Sequence, residues 1–145
     1  MFVSKIIIHH SLTKDGQSVD WAAIRRYHVD HLHWADVGYH YGIEQIDGSW
    51  QILKGRMDTE SGAHCLGFNH DSIGVCVVGN YDLAAPPEEA LALLRRLVRS
   101  LMWIYGVATP NVIGHWESYA VRGIIPQKSC PGRKFDLDAF RQSLQ

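Results

Sequence analysis

No apolar run in this 145-residue chain approaches the roughly 18–20 residues needed to cross a bilayer, so membrane insertion is not expected. Neither sign of charge prevails. Fourteen Lys and Arg against fifteen Asp and Glu leave a formal net charge of −1. With no general basic field to draw the chain to polyanions, a nucleic-acid partner is not expected either. Cysteine is scarce: Cys65, Cys76 and Cys130 are odd in number and widely spaced. They form neither a disulfide framework nor a paired-cysteine zinc knuckle. The opening "MFVSKIIIHH" has no secretory pattern, because its short apolar run ends in histidines without a small-residue cleavage site. Synthesis and retention in the cytoplasm are the expectation. No repeat, low-complexity tract or linker interrupts the sequence, which predicts one domain over residues 1–145.

What is present is an ordinary globular composition, 46% hydrophobic and 20% charged, long enough to bury a core. One excess stands out: nine histidines. The pattern around them predicts an α/β (α+β) fold, with a central mixed β-sheet flanked by helices. Lys5–Ile8 is a short continuous apolar run, suited to a buried central strand. Ser18 can cap a helix carrying Trp21, Ile24, His28 and Leu32 on one face. "DVGYHYGIEQIDGSWQIL" predicts a hairpin around Asp47–Gly48. "IGVCVVG" predicts a second core strand. Pro86–Pro87 opens a long helix, "EEALALLRRLVRSLMWIY", which Gly106 stops. "NVIGH" predicts a short strand ending in His115. Residues 116–134 carry no regular pattern, and "DLDAFRQSL" predicts a closing helix.

Two of these strands end in histidine, "IIIHH" and "NVIGH". In open α/β sheets ligands gather beyond the carboxyl ends of strands, so His9 and His115 can converge there. "KSCPG" places Cys130 on a loop fifteen residues past His115. Two imidazoles and a thiolate suit Zn²⁺, and three protein ligands leave a fourth position for water. The spacing alone leaves His10, His64 and Asp136 open as alternative ligands. It equally allows strand-end histidines that are merely exposed or packed, and a cysteine that belongs to the core.

"IIIHHS", "DVGYHYGI", "GAHCLGFNHDSIGVCVVG", "GHWE" and "KSCPG" occur in the order found in zinc-dependent N-acetylmuramoyl-L-alanine amidases. From about residue 5 to residue 140 the chain resembles this amidase-2 family, which includes small phage lysins and animal peptidoglycan-recognition proteins. The resemblance implies His9, His115 and Cys130 as ligands of one Zn²⁺ per chain. It implies catalytic roles for Tyr39, near the metal-bound water, and for Lys128, a feature of the phage-lysin branch. His64 and Asn69 match positions that contact sugar or peptide in relatives, although a histidine and asparagine in this loop also suit plain turn roles. Cytoplasmic anhydro-muropeptide amidases resemble the same family but carry glutamate where this chain has Cys76, and commonly aspartate as third ligand in place of Cys130. Both differences favour the phage-lysin branch, a phage or prophage endolysin, and leave Cys76 to the core.

The expected reaction is hydrolysis of the amide between the lactyl group of N-acetylmuramic acid and L-alanine in peptidoglycan. The protein is expected to be a monomer that acts on the cell wall after release from the cytoplasm. Two rivals have distinct signatures. A non-catalytic recognition module of the same fold binds muropeptide without cutting, and such relatives typically lose the cysteine ligand. A Cys-His hydrolase with Cys130 as nucleophile would ignore chelators and yield to thiol alkylation. Glu117 is a candidate for holding a ligand or its loop. His28, His31 and His33 read as surface or packing residues, and His40 and His70 carry no assignment.

Overall fold

The computed structural model describes residues 1–12 and 20–145. Its centre is a five-stranded sheet in the order β3-β2-β4-β1-β5, where β1 is Lys5–His10, β2 Tyr41–Ile46, β3 Ser49–Lys54, β4 Ser72–Val77 and β5 Val112–Gly114. The pairs β1–β4, β1–β5 and β2–β4 are parallel, and only the hairpin pair β2–β3 is antiparallel. The innermost strands are the most apolar in sequence. Ile6, Ile7 and Ile8 of β1 and Ile73, Val75 and Cys76 of β4 are wholly buried, as strands covered on both faces must be. The Asp47–Gly48 turn has positive φ at both residues, +50° and +77°, the mirror-image turn that suits a two-residue hairpin.

Helix α2, Glu88–Tyr105, covers one face of the sheet. Ala90, Leu94, Val98 and Leu101 recur at helical spacing and pack with Ile6, Ile8, Ile73 and Val75. Each fully buried Leu, Ile or Val contributes about 1.5–3 kcal/mol relative to exposure. Gly106 ends the helix in the left-handed region at φ +67°. Helix α4, Leu137–Gln142, adds Leu137 and Phe140 to the same core. Helix α1, Trp21–Arg26, packs Trp21 and Ile24 with Cys76 and Val37 in a separate cluster.

Three sequence expectations change. Ser18 lies outside the described residues, and Asp20 caps α1 by accepting from the Ala23 amide at 2.7 Å. The predicted apolar face of that helix does not run through to Leu32. The backbone passes into a π-helical turn at Tyr27–His31, with the Leu32 amide donating to the Tyr27 carbonyl, and the change of pitch leaves Leu32 exposed. Residues 116–134 are not irregular throughout, because α3 occupies His115–Val121. Its start is fixed by the Glu117 carboxylate, which accepts from the Gly114 amide at 2.8 Å. An aromatic-rich helix of seven residues with only Ser118 buried offers no apolar stripe to read.

Candidate metal centre

Side-chain alternation along β1 separates the two adjacent histidines. Ile6, Ile8 and His10 face the α2 side, while Ile7 and His9 face the other. His10 is thereby spent on structure, its Nδ1 accepting from the Tyr81 amide at 3.1 Å. His9 is 1% exposed and points into the opposite layer. Ile8 pairs with Gly114, so the next level of the sheet holds His9 beside His115, the first residue of α3. Their ring centroids are 4.7 Å apart. Cys130 arrives from the loop after α3, tied back by the Trp116 amide donating to its carbonyl at 2.8 Å.

One ligand atom from each of His9, His115 and Cys130 lies within 4.8 Å of the other two, the grouping of this kind found among the described residues. The alternatives left open by spacing are otherwise engaged. His10 accepts from Tyr81, His64 is bonded to His9, and Asp136 caps α4 through the Ala139 amide.

The donor set suits a borderline-soft divalent ion. A tetrahedral zinc ion at about 2.0–2.1 Å from nitrogen and about 2.3 Å from sulfur sets those donors about 3.5 Å apart. His9 Nδ1 and Cys130 Sγ are separated by 3.6 Å. Burial, followed by the neighbouring imidazoles of His64 and His115, drives the His9 pKa well below its ordinary value. Burial and the Lys128 ammonium hold His115 at about 4. Both rings are therefore neutral at physiological pH, with lone pairs available. Burial pushes the Cys130 thiol up to about 12, opposed by the His10 amide, which donates to Sγ at 3.4 Å, and by Lys128. A thiol held that high is a poor nucleophile by itself, whereas a shared cation draws it to the thiolate form.

The three ligands stand in a groove of about 1300 Å³ whose walls include His28, Trp34, Tyr39, Trp116 and Lys128. Tyr39 stands beside His9 with the two rings tilted and their centroids 5.1 Å apart, and it packs against the buried cluster that contains Cys76. Burial and the two nearby thiols, Cys76 and Cys130, push the Tyr39 pKa well above its ordinary value, so the phenol keeps its proton. The Lys128 side chain is on an exposed stretch, yet its charge acts on His9, His115 and Cys130 together.

His64 and Asn69 sit differently from the ligands. Asn69 turns its Oδ1 onto the amides of His64 and Cys65, at 2.8 and 2.9 Å, and is not among the described residues lining the groove. His64 borders the groove but is 8% exposed, with Nδ1 2.9 Å from His9 Nε2. Burial and the adjacent His40 lower its pKa to about 3. Neither contact leaves a trace in sequence periodicity, nor does the Tyr39–Cys76 pairing. Glu117, the candidate for holding a ligand or its loop, accepts from the Gly114 amide just before His115 and is gripped by Arg141 through two hydrogen bonds of 2.8 and 3.0 Å at the base of α3.

Two imidazoles and a thiol converge on an open groove, an arrangement that could hold a metal ion with room beside it for a substrate. The N-acetylmuramoyl-L-alanine amidase profile, Amidase_2, matches residues 1–133. Among relatives, the endolysin of Escherichia phage T7 is 44% identical over 77 residues, covering 53% of this chain. That match spans about half of the T7 protein's length, 48%. The endolysin of Klebsiella phage KP32 is 40% identical over 139 residues, covering 92% of this chain and 82% of its own. The fold is that of the endolysin amidase LysCS from Clostridium intestinale, with a TM-score of 0.80 at 24% identity over 99% of this chain and 84% of the other. The chain belongs to the N-acetylmuramoyl-L-alanine amidase family, Amidase_2.

Proposed function

We propose that residues 1–145 act as a single catalytic domain, a zinc-dependent N-acetylmuramoyl-L-alanine amidase of the phage or prophage endolysin type. Its substrate is peptidoglycan, and it cleaves the amide between N-acetylmuramic acid and the L-alanine of the stem peptide. The observation that carries this reading is the meeting of His9, His115 and Cys130 at the floor of a groove that also holds Tyr39 and Lys128.

His9, His115 and Cys130 would hold one Zn²⁺, which supplies Lewis acidity toward a carbonyl oxygen and lowers the pKa of water toward about 7. The chain's own groups do the rest. Tyr39, protonated at neutral pH, is a hydrogen-bond donor and orients the attacking water or the oxygen on which charge develops. Lys128 offsets the negative charge of the tetrahedral oxyanion, a need made greater by the charge that Cys130 brings to the ligand set. Trp34 and Trp116 supply apolar groove walls on which a sugar ring can rest.

The test is digestion of defined sacculi with and without a zinc chelator, followed by mass analysis of the products. Free L-alanine amino termini without new reducing sugar ends, abolished by chelator and restored by zinc, are expected. Cleavage that persists in chelator but stops on thiol alkylation would instead make Cys130 a nucleophile. Binding to sacculi without cleavage would make the chain a recognition module.

A further inference from the structure

We propose that His64 is a positioning residue that keeps the His9 proton on Nε2 and so leaves the His9 Nδ1 lone pair free to bind metal beside Cys130. The inference deepens the zinc reading above and rests on it.

The protons are fixed one at a time, starting from an atom that can only accept. The Phe68 carbonyl takes the Ser72 hydroxyl proton at 2.6 Å. Having donated its single proton, Ser72 Oγ presents only lone pairs to His64 Nε2, 3.3 Å away. His64 Nε2 therefore bears hydrogen. A neutral imidazole carries one N–H, so His64 Nδ1 is an acceptor. Its partner at 2.9 Å is His9 Nε2, which must donate. The His9 proton is thereby fixed on Nε2, and the bare Nδ1 is the atom 3.6 Å from Cys130 Sγ. The opposite tautomer would aim an N–H where a cation belongs.

The surroundings hold the His64 ring in that orientation. Gly62 and Gly74 flank it so closely that a Cβ on either would come within 2.4 or 2.6 Å of ring carbons. His40 meets it edge-on, anchored by its own bonds to the Gly74 amide and the Glu60 carbonyl. With Nδ1 on His9 and Nε2 on Ser72, His64 has no polar ring atom left for an acetamido or peptide group. Its effect on the reaction passes through His9.

Two measurements test this, neither of them catalytic activity. In metal-free protein labelled at imidazole nitrogen, NMR at neutral pH should show His9 with a protonated Nε2 and a bare Nδ1. Zinc affinity, read by competition with a chelator, should weaken roughly 10–100-fold in His64→Phe. His64→Gln, whose amide oxygen can accept from His9, should recover most of that loss. A His9 proton found on Nδ1 in the wild-type chain overturns the inference, and this holds even if His64→Phe does not fold. A folded His64→Phe protein that binds zinc as tightly as wild type overturns it too, leaving the amidase reading intact. A wild-type chain that binds no zinc overturns both.

Discussion

At the scale of single residues, the proposed chemistry divides the site into groups that would hold the metal and groups that would act on the substrate. Cys130, His9 and His115 would hold; Tyr39 and Lys128 line the same groove without belonging to that cluster. Tyr39→Phe and Lys128→Ala are expected to lower kcat by roughly 10²–10³-fold while zinc content stays at one per chain, as judged by metal analysis of the purified variants. A variant that loses activity and zinc together would show that the side chain supports the ligands instead. The candidate ligands lie at strand ends and beside a Pro-Gly pair, but that spacing left His10, His64 and Asp136 open, and only the family motifs singled out His9, His115 and Cys130. The company kept by His64, Asn69 and Cys76 was not legible. Asn69 serves two backbone amides four and five positions before it through a turn no apolar pattern marks, and Cys76 meets Tyr39 only because the fold packs them into one buried cluster.

Among the elements, the short helix α3 carries the greatest consequence for its size. It begins on a metal-ligand candidate, and its first turn depends on Glu117, which the C-terminal helix holds through Arg141. Both side chains are less than one-fifth exposed, so this ion pair is shielded. Arg141→Ala should cost roughly 1.5–3 kcal/mol in urea unfolding, the range for hydrogen bonds to charged groups. Glu88→Ala breaks only the 3.4 Å pair between Arg95 and this 75%-exposed carboxylate and should cost no more than about 1 kcal/mol. Equal costs would refute the special place of the Glu117 clamp. Sequence pattern located β1, β2, β3, β4, α2, β5 and α4, whose apolar periods or turn residues are clear. It missed α3 and the π-helical turn, where no apolar stripe marks the helix and the pitch is set by local packing.

The molecule as a whole buries imidazoles that an unfolded chain would leave in water. His40 is wholly buried, with Nδ1 committed to accepting from the Gly74 amide, and burial lowers its pKa; His64 is held at about 3. Below their ordinary value of 6.5 the unfolded chain takes up protons that the folded chain refuses. The stability these groups contribute is complete above pH 6.5 and is lost progressively as pH falls toward about 3. Urea midpoints of the metal-free protein should therefore drop steadily from neutral pH to about 4, and a flat profile would contradict the buried, neutral state of both rings. No helix among the described residues is long and apolar enough to cross a membrane.

The strand that opens the chain imposes one last condition. Because neighbouring positions on β1 look to opposite sides of the sheet, inserting or deleting a single amino acid upstream of His9 within it would swap the two rings, turning His10 toward the groove and His9 toward Tyr81. Two such changes restore parity. The length of this segment can therefore vary only in even steps if the centre is to survive.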